Sequence, residues 1–297
     1  MEVRESLHFT AEADFKKLDY FLRTMGVSRR IITKLKYQDG LLINGESATT
    51  IRPVYTGDTV TVCFPKENTL SCEPQVGPLD ILYEDIDLLA LNKPNGIATH
   101  PALGTKDHTL GNFVSQYYQD ENTPLPFRPV SRLDKETSGV ILVAKHSYAH
   151  SVLSEQMRSG VFQKKYLALV FGIPKESSGV IDFPIIEEDA ASLRRVCRAD
   201  GKKAYTKYRV LSQKNPYSLL EIEITTGRTH QIRVHLNEIG HPIVGDPLYG
   251  NVPGKRLYLH SYATSFLHPV TKEALTLNAP CNFETILQNI ENEEFPL

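Results

Sequence analysis

The sequence predicts an α+β fold: a large domain with a mixed, largely antiparallel sheet and flanking helices, preceded by a small N-terminal α/β domain. Three observations predict it. The chain has 297 residues, room for about two domains. From Leu79 onward, strand-like runs follow one another with helical patterns between only some of them, unlike strict β–α alternation. A proline-rich stretch separates that region from an opening segment of different pattern, which divides the chain into residues 1–76 and 77–297.

In the opening segment, Phe15, Leu18, Phe21, Leu22 and Met25 recur at helical spacing, and Gly26 ends the run. Ser28 reads as the N-cap of a second helix from Arg29 to Tyr37, stopped before Gly40. Its Ile31, Ile32 and Leu35 can face a core, while Arg29, Arg30, Lys34 and Lys36 occupy the remaining surface with no acidic neighbour. Leu41-Leu42-Ile43 before the turn Asn44-Gly45, and Thr59 to Phe64 after Gly57-Asp58, read as short strands. Pro65 to Pro78 holds three prolines, Gly77 and few large apolar residues, the pattern of a linker. Beyond it, strands are expected at Ile81 to Tyr83, Leu88 to Asn92, Gly139 to Ala144, Tyr166 to Phe171, Ala204 to Leu211 and Ser218 to Thr225. Helices are expected at Thr109 to Gln119, Ser147 to Ser159 and Gln231 to Ile239. No G-x-G-x-x-G follows a first strand, which argues against a dinucleotide-binding fold.

Composition sets the outer limits. Hydrophobic residues make up 41% of the chain, the content of a globular protein. The formal net charge is −2, so a nucleic-acid site has to be a local cluster of Lys and Arg. No apolar stretch is long enough to span a bilayer, and Met1-Glu2-Val3-Arg4-Glu5 lacks the basic start and apolar core of a signal peptide; the cytoplasm is the expected compartment. Cys63, Cys72, Cys197 and Cys281 form no C-x-x-C pair, which suggests neither a zinc knuckle nor a thioredoxin-type site. A Cys63–Cys72 disulfide is conceivable, but reduced thiols are the expectation. His230 and His235 are five apart, not the four that places two ligands on one helical face, so no metal is expected. His241 and His268 each precede a proline and read as structural.

The most informative stretch is Pro129 to Val143. Arg132-Leu133-Asp134 lies between a proline-containing loop and Lys135-Glu136-Thr137-Ser138-Gly139, just ahead of the apolar run Val140 to Val143. A carboxylate immediately before a buried strand can be held rigidly while its oxygens face a cleft. On local physics alone the ordinary reading is the stronger one: Asp134 as a turn acceptor, with Arg132 as its ion-pair partner.

The wider company of this segment changes that weighting. Arg132-Leu133-Asp134 followed by Thr137-Ser138-Gly139-Val140 resembles the signature of the RluA/RluD family of pseudouridine synthases, which convert uridine in RNA to its C-glycoside isomer. Leu91-Asn92-Lys93-Pro94-Asn95-Gly96-Ile97 with His100-Pro101 resembles the opening of that family's catalytic domain. Lys164-Lys165-Tyr166-Leu167-Ala168-Leu169-Val170 resembles its tyrosine strand. Gly227 to Leu236, continuing through Gly240-His241-Pro242-Ile243 and Gly245-Asp246, and Leu257 to Ser261 with Phe266, His268 and Pro269, resemble its later motifs. The resemblance runs from about Leu79 to the C-terminus. Ser131 stands where that family often has His, a departure that leaves the carboxylate untouched and affects only contacts the imidazole would make.

The resemblance implies roles. Asp134 would be the essential carboxylate, acting as a nucleophile on sugar or base or as the base that removes the C2′ proton. Arg233 would be its ion-pair partner, with Arg228 the weaker choice and a candidate for phosphate contact. Tyr166 would stack on the uracil and Leu259 would pack against it; without the motifs, both read as core residues. The nucleotide has to leave the stack, and Arg132 would fill the gap, its alternative being a structural pair with a nearby acid. The isomerisation needs no electrons, energy carrier or metal, so no cofactor is expected.

Two basic surfaces are candidates for RNA. Ser28 to Asn44 resembles the small αL RNA-binding domain common at the N-terminus of these synthases, which points Arg29, Arg30, Lys34 and Lys36 at phosphate. Arg194, Arg195, Arg198, Lys202, Lys203, Lys207 and Arg209, with Tyr205 and Tyr208 between them, read as two β arms joined at the turn Asp200-Gly201. The expected partner is ribosomal RNA of the large subunit, with transfer RNA second, and a monomer is the expected state. A noncatalytic RNA-binding or ribosome-assembly factor and an RNA glycosidase releasing free base are the rival readings.

Overall fold

The computed structural model describes residues 1–102, 105–189 and 192–290. The N-terminal part contains β1 (Ser6–Thr10), α1 (Leu18–Thr24), α2 (Arg29–Lys36), β2 (Leu41–Ile43), β3 (Glu46–Ser47) and β4 (Thr59–Cys63). The strands form an antiparallel sheet in the order β1–β4–β2–β3. Leu18, Phe21 and Leu22 of α1 and Ile31, Ile32 and Leu35 of α2 bury against Leu7, Leu41, Val60 and Val62. The other face of α2 leaves Arg29, Arg30, Lys34 and Lys36 exposed. Ser28 occupies the N-cap position without a side-chain hydrogen bond.

The larger part contains β5 (Ile81–Glu84), β6 (Leu88–Lys93), α3 (Leu110–Asp120), β7 (Ser138–Ala144), α4 (Ser147–Ser159), β8 (Gln163–Phe171), β9 (Ser178–Ile181), β10 (Ile185–Glu187), β11 (Arg195–Cys197), β12 (Thr206–Lys214), β13 (Tyr217–Ile224), α5 (Gln231–Glu238), β14 (Leu259–Leu267), β15 (Ala274–Asn278) and α6 (Phe283–Gln288). Nine of these strands form one sheet, ordered β5–β6–β7–β14–β8–β13–β12–β9, with β15 added on β14. Its named pairings are antiparallel except β7 against β14. The fold is therefore α+β with a mixed, largely antiparallel sheet, as the strand pattern predicts.

Strands β6 and β7 explain the layering. β7 is buried along its whole length, as expected of a continuous apolar run covered on both faces. Leu89, Leu91, Ile141 and Val143 pack with Leu110, Val114 and Tyr118 of α3. Leu88, Ala90, Leu142 and Ala144 alternate to the other face, against Ala149 and Leu153 of α4. The parallel β7–β14 contact is short, pairing Ser138 with His260 and Gly139 with Ser261. It requires glycine: Gly139 has φ +114°, and a Cβ there would lie 2.2 Å from the Ser261 carbonyl oxygen.

Three features depart from the sequence reading. Residues 65–78 have no regular structure, as a linker should, yet they are fastened down. Glu67 pairs with Arg128, Ser71 Oγ accepts from the Phe127 N–H, Asn112 Nδ2 donates to the Glu73 carbonyl, and Gln75 bonds to the backbone of Asn112 and His108. The Asp200-Gly201 turn forms, but it does not join two paired arms: β11 pairs with β10, and Lys202 bridges back to Ile185, while β12 belongs to the large sheet. Lys34 faces Glu67 at 3.8 Å, an acidic neighbour brought up by the fold.

A buried polar junction links the N-terminal part to the large sheet. Arg4 binds both oxygens of Asp87, at 2.6 and 2.9 Å, and His146 Nε2 lies 2.8 Å from the same carboxylate. His268 Nε2 contacts Asp85 at 3.0 Å, and Tyr83 also donates to Asp85. Burial works against the charge of Asp85, but these bonds and two backbone N–H donors hold its pKa well below the ordinary carboxylate range. Asp85, Asp87 and His268 lie close enough to hold a cation, but each carboxylate already has its donors, so the group reads as a hydrogen-bonded joint. The structural reading of His268 fits this geometry. Among the described residues, all four cysteines are free thiols and no helix is long and apolar enough to cross a membrane.

Candidate active site

Asp134 lies in the loop entering β7. The Thr137 N–H closes a turn on its backbone carbonyl at 3.1 Å, so the turn uses the main chain and leaves the carboxylate free for other work. A second loop, 94–99, clamps this one. Thr99 Oγ1 donates to the Leu133 carbonyl at 2.8 Å, and Asn95 Nδ2 donates to the Glu136 carbonyl. Lys93, at the end of β6, is fully buried and donates to the carbonyls of Pro94, Ile97 and Lys135 at 2.9, 2.7 and 3.1 Å. Three carbonyls match the three N–H bonds of an ammonium. Burial pushes the Lys93 pKa down to about 7, opposed by the charges of Asp134 and Glu136. On the other side, Ser138 Oγ accepts from Arg256, so its own proton points to His260 Nδ1 at 2.7 Å. Burial drives the His260 pKa down to about 4, consistent with the neutral, accepting imidazole this geometry needs.

Arg233 reaches Asp134 as the motif predicts: Nη1 lies 3.6 Å from Oδ2, with the Asp134 side chain 30% exposed and that of Arg233 3% exposed. The tighter partner of Arg233 is Asp246, a residue to which the sequence reading gave no role. Nε and Nη2 donate to its two oxygens at 2.8 and 2.7 Å in a bidentate fork. Asp246 Oδ1 also accepts from the N–H groups of Leu248 and Tyr249. Gly245 places it there: its φ is +72°, and a Cβ would lie 1.8 Å from the Arg256 carbonyl oxygen. The Tyr249 ring lies beneath the guanidinium, 5.2 Å away. Burial opposes the charge of Arg233, but the bonds and charge of Asp246, with Asp134 adding, hold its pKa above the ordinary value. Arg233 and Asp246 thus form a neutral buried unit that turns one N–H edge toward a carboxylate it does not fully bind.

Tyr166 and Leu259 come from neighbouring strands, β8 and β14. Tyr166 is directly opposite Ser261, and Leu259 opposite Ala168, so all four side chains share one face. Both are buried in the apolar cluster that contains Leu133 and Ile232. Burial, with the nearby charge of Asp134, pushes the Tyr166 phenol well above its usual range. Asp134, Arg233, Tyr166 and Leu259 therefore gather at the junction of β7, β14, β8 and α5. Arg132 points outward, exposed, with no ion pair to an acid among the described residues.

The predicted second basic surface is more neutral than its sequence. Arg194 faces Glu188 at 3.9 Å, Arg195 faces Glu187 at 2.8 Å, Arg198 faces Asp200 at 2.5 Å, and Arg209 faces Glu221 at 2.9 Å. Lys202, Lys203 and Arg228 are exposed, and Arg228 Nε donates to the Lys203 carbonyl. His230 and His235 are committed separately, to Tyr249 Oη and to Thr206 with the Phe183 carbonyl.

Comparison with known proteins agrees with the motifs. A family described as RNA pseudouridylate synthase matches residues 87–238. The chain is 38% identical over 262 residues to an uncharacterized RNA pseudouridine synthase, YjbO, of Bacillus subtilis, covering 86% of this chain and 92% of the relative. It is 38% identical over 269 residues to ribosomal large subunit pseudouridine synthase D of Xanthomonas campestris, covering 84% and 80% respectively. Among solved structures it is similar to human RNA pseudouridylate synthase domain containing 1, with 28% identity and a TM-score of 0.60 over 70% of this chain and 86% of that one.

Proposed function

This chain belongs to the RNA pseudouridylate synthase family, and from that premise we propose that it isomerises specific uridines of large-subunit ribosomal RNA, using Asp134 on a flipped-out nucleotide. The observation that carries this reading is the Asp134 carboxylate, unused by its own turn, standing 3.6 Å from a buried guanidinium beside Tyr166 and Leu259. The N1–C1′ bond of uridine breaks, the uracil turns, C5 joins C1′, and the proton that C5 gives up is balanced by one taken up at N1. Asp134 either adds to sugar or base or takes the C2′ proton; both routes use a carboxylate steadied by a fixed cation. Tyr166 stacks on the uracil with its phenol near C5, Leu259 bounds the base, and Arg132 fills the vacated stack, which its outward, unpaired position allows.

In this reading residues 1–76 are an αL-type RNA-binding domain with its linker and residues 77–297 the catalytic domain. Arg29, Arg30, Lys34 and Lys36 bind phosphate, and Arg194, Arg195, Lys202, Lys203 and Arg228 add a second RNA-contacting surface. The protein works as a cytoplasmic monomer. Large-subunit ribosomal RNA is favoured because relatives named for that substrate align over most of the chain; transfer RNA is the second candidate. The test is to incubate the protein with unmodified ribosomal and transfer RNA, digest, and analyse the nucleosides. Pseudouridine from the ribosomal RNA is expected. Free uracil would mark a glycosidase, and binding with no product a noncatalytic factor.

A further inference from the structure

We infer that the cleft between the β10–β11 ribbon and the loop entering α5 takes an unstacked guanine of the substrate RNA close to the target uridine. The inference rests on the proposal that a uridine of RNA is flipped at Asp134, and it adds what selects that uridine.

The cleft encloses about 740 Å³, within the range of cavities that hold ligands of nucleotide size. Ile185 to Asp189 form one wall, Arg195 and Arg198 another, and Gly227-Arg228-Thr229 a third. It adjoins the candidate active site through few contacts. His230 follows Thr229, and both the His230 ring and the Arg195 N–H meet the Tyr249 hydroxyl, at 3.1 and 2.8 Å. The ring of that tyrosine lies beneath Arg233.

Its charge pattern distinguishes base reading from backbone tracking. Arg195, Arg198, Lys202 and Arg228 line it, but so do Glu187, Glu188, Asp189 and Asp200. A phosphate track is lined by an excess of cations. Here the two signs balance, and two of the pairs are set in advance, Arg195 with Glu187 and Arg198 with Asp200. Arg198 Nε and Nη2 are held by Asp200 in an exposed pair that costs little to exchange, so a base that displaces this acid meets a forked donor beside carboxylate acceptors. Guanine presents the matching set, with adjacent acceptors O6 and N7 on one edge and adjacent donors N1–H and N2–H on another. A base splayed from a single-stranded segment exposes both edges at once. Lys202 and Arg228, exposed cations without an acidic partner in the ion pairs described, remain for its phosphate.

The experiment uses the full chain and short RNAs built around a mapped target uridine. Each flanking nucleotide is set in turn to all four bases, and kcat/KM for pseudouridine formation is measured. One flanking position should prefer guanine by about tenfold, the discrimination typical of a bidentate base contact. The double variant Glu187→Gln/Arg198→Ala changes two exposed side chains, 63% and 51% accessible, so folding should survive, which thermal melting checks. In that variant the guanine-flanked RNA should fall to within about threefold of the others. Product without a guanine preference in the wild type, or a preference that survives in the variant, overturns the inference alone. No pseudouridine from any RNA overturns the proposed function, and the inference with it.

Discussion

Asp134 and Asp246 share one arginine, and the proposed function gives them opposite duties that melting and activity can separate. Asp246→Ala strands Arg233, whose side chain is 3% exposed, and removes the acceptor for the N–H groups of Leu248 and Tyr249. Breaking a buried pair from one side costs about 3–5 kcal/mol. At roughly 2–4 °C per kcal/mol for a chain of this size, the melting temperature should fall by about 6–20 °C. Asp134→Ala removes a partly exposed carboxylate with a single 3.6 Å contact, worth about 0–1 kcal/mol, so melting should move by less than about 4 °C. Circular dichroism melting of both variants, paired with nucleoside analysis, reads the difference. Asp246→Ala should lose stability together with part of its activity; Asp134→Ala should lose activity and keep its stability. Equal melting shifts in the two variants would refute the division of roles.

Lys93 gives a pH prediction. Its native pKa of about 7 lies below the ordinary 10.5, so between these values the unfolded chain holds the extra proton and Lys93 makes the fold more stable as pH rises. Activity should move the other way, falling as pH rises through about 7, because a neutral amine gives up one of three bonds to the loops around Asp134; Lys93→Met should lack this limb in its pH–rate profile. Gly139→Ala sets a Cβ against the Ser261 carbonyl at positive φ and should lower stability in urea unfolding by about 3 kcal/mol or more, with loss of activity as the β7–β14 register shifts. RNA affinity should fall with salt, and replacing Arg29, Arg30, Lys34 and Lys36 by Ala should reduce the slope of log K against log salt by about 0.7–0.9 for each phosphate contact removed; an unchanged slope removes α2 from the interface.

What was legible in the sequence follows from how local each signal is. α4 matches its predicted span because its apolar spacing is uninterrupted, and β6 and β7 are plain because both faces of each are buried. β1 is not legible in the sequence: Ser6–Thr10 alternates too briefly to stand out and is a strand because β4 pairs with it. The predicted two-armed ribbon differs from the observed pairing because the turn at Asp200-Gly201 is local while the choice of β10 as partner is not. At the candidate site, Asp134, Arg233, Tyr166 and Leu259 were named from motifs, and the fold brings them together. Asp246 and Lys93 lie within the motif segments, yet little in their local sequence marks a role. Their importance is burial: an aspartate with a fully enclosed side chain and a lysine sealed among carbonyls look like ordinary charges in one dimension. The glycine before one and the proline after the other were the available hints.

The central claim is that the carboxylate of Asp134 performs the chemistry. Asp134→Asn keeps its size and removes its charge, so the most direct measurement is the pseudouridine content of RNA treated with that variant, alongside binding of the same RNA. No pseudouridine is expected while RNA binding persists. Turnover retained in Asp134→Asn would contradict it.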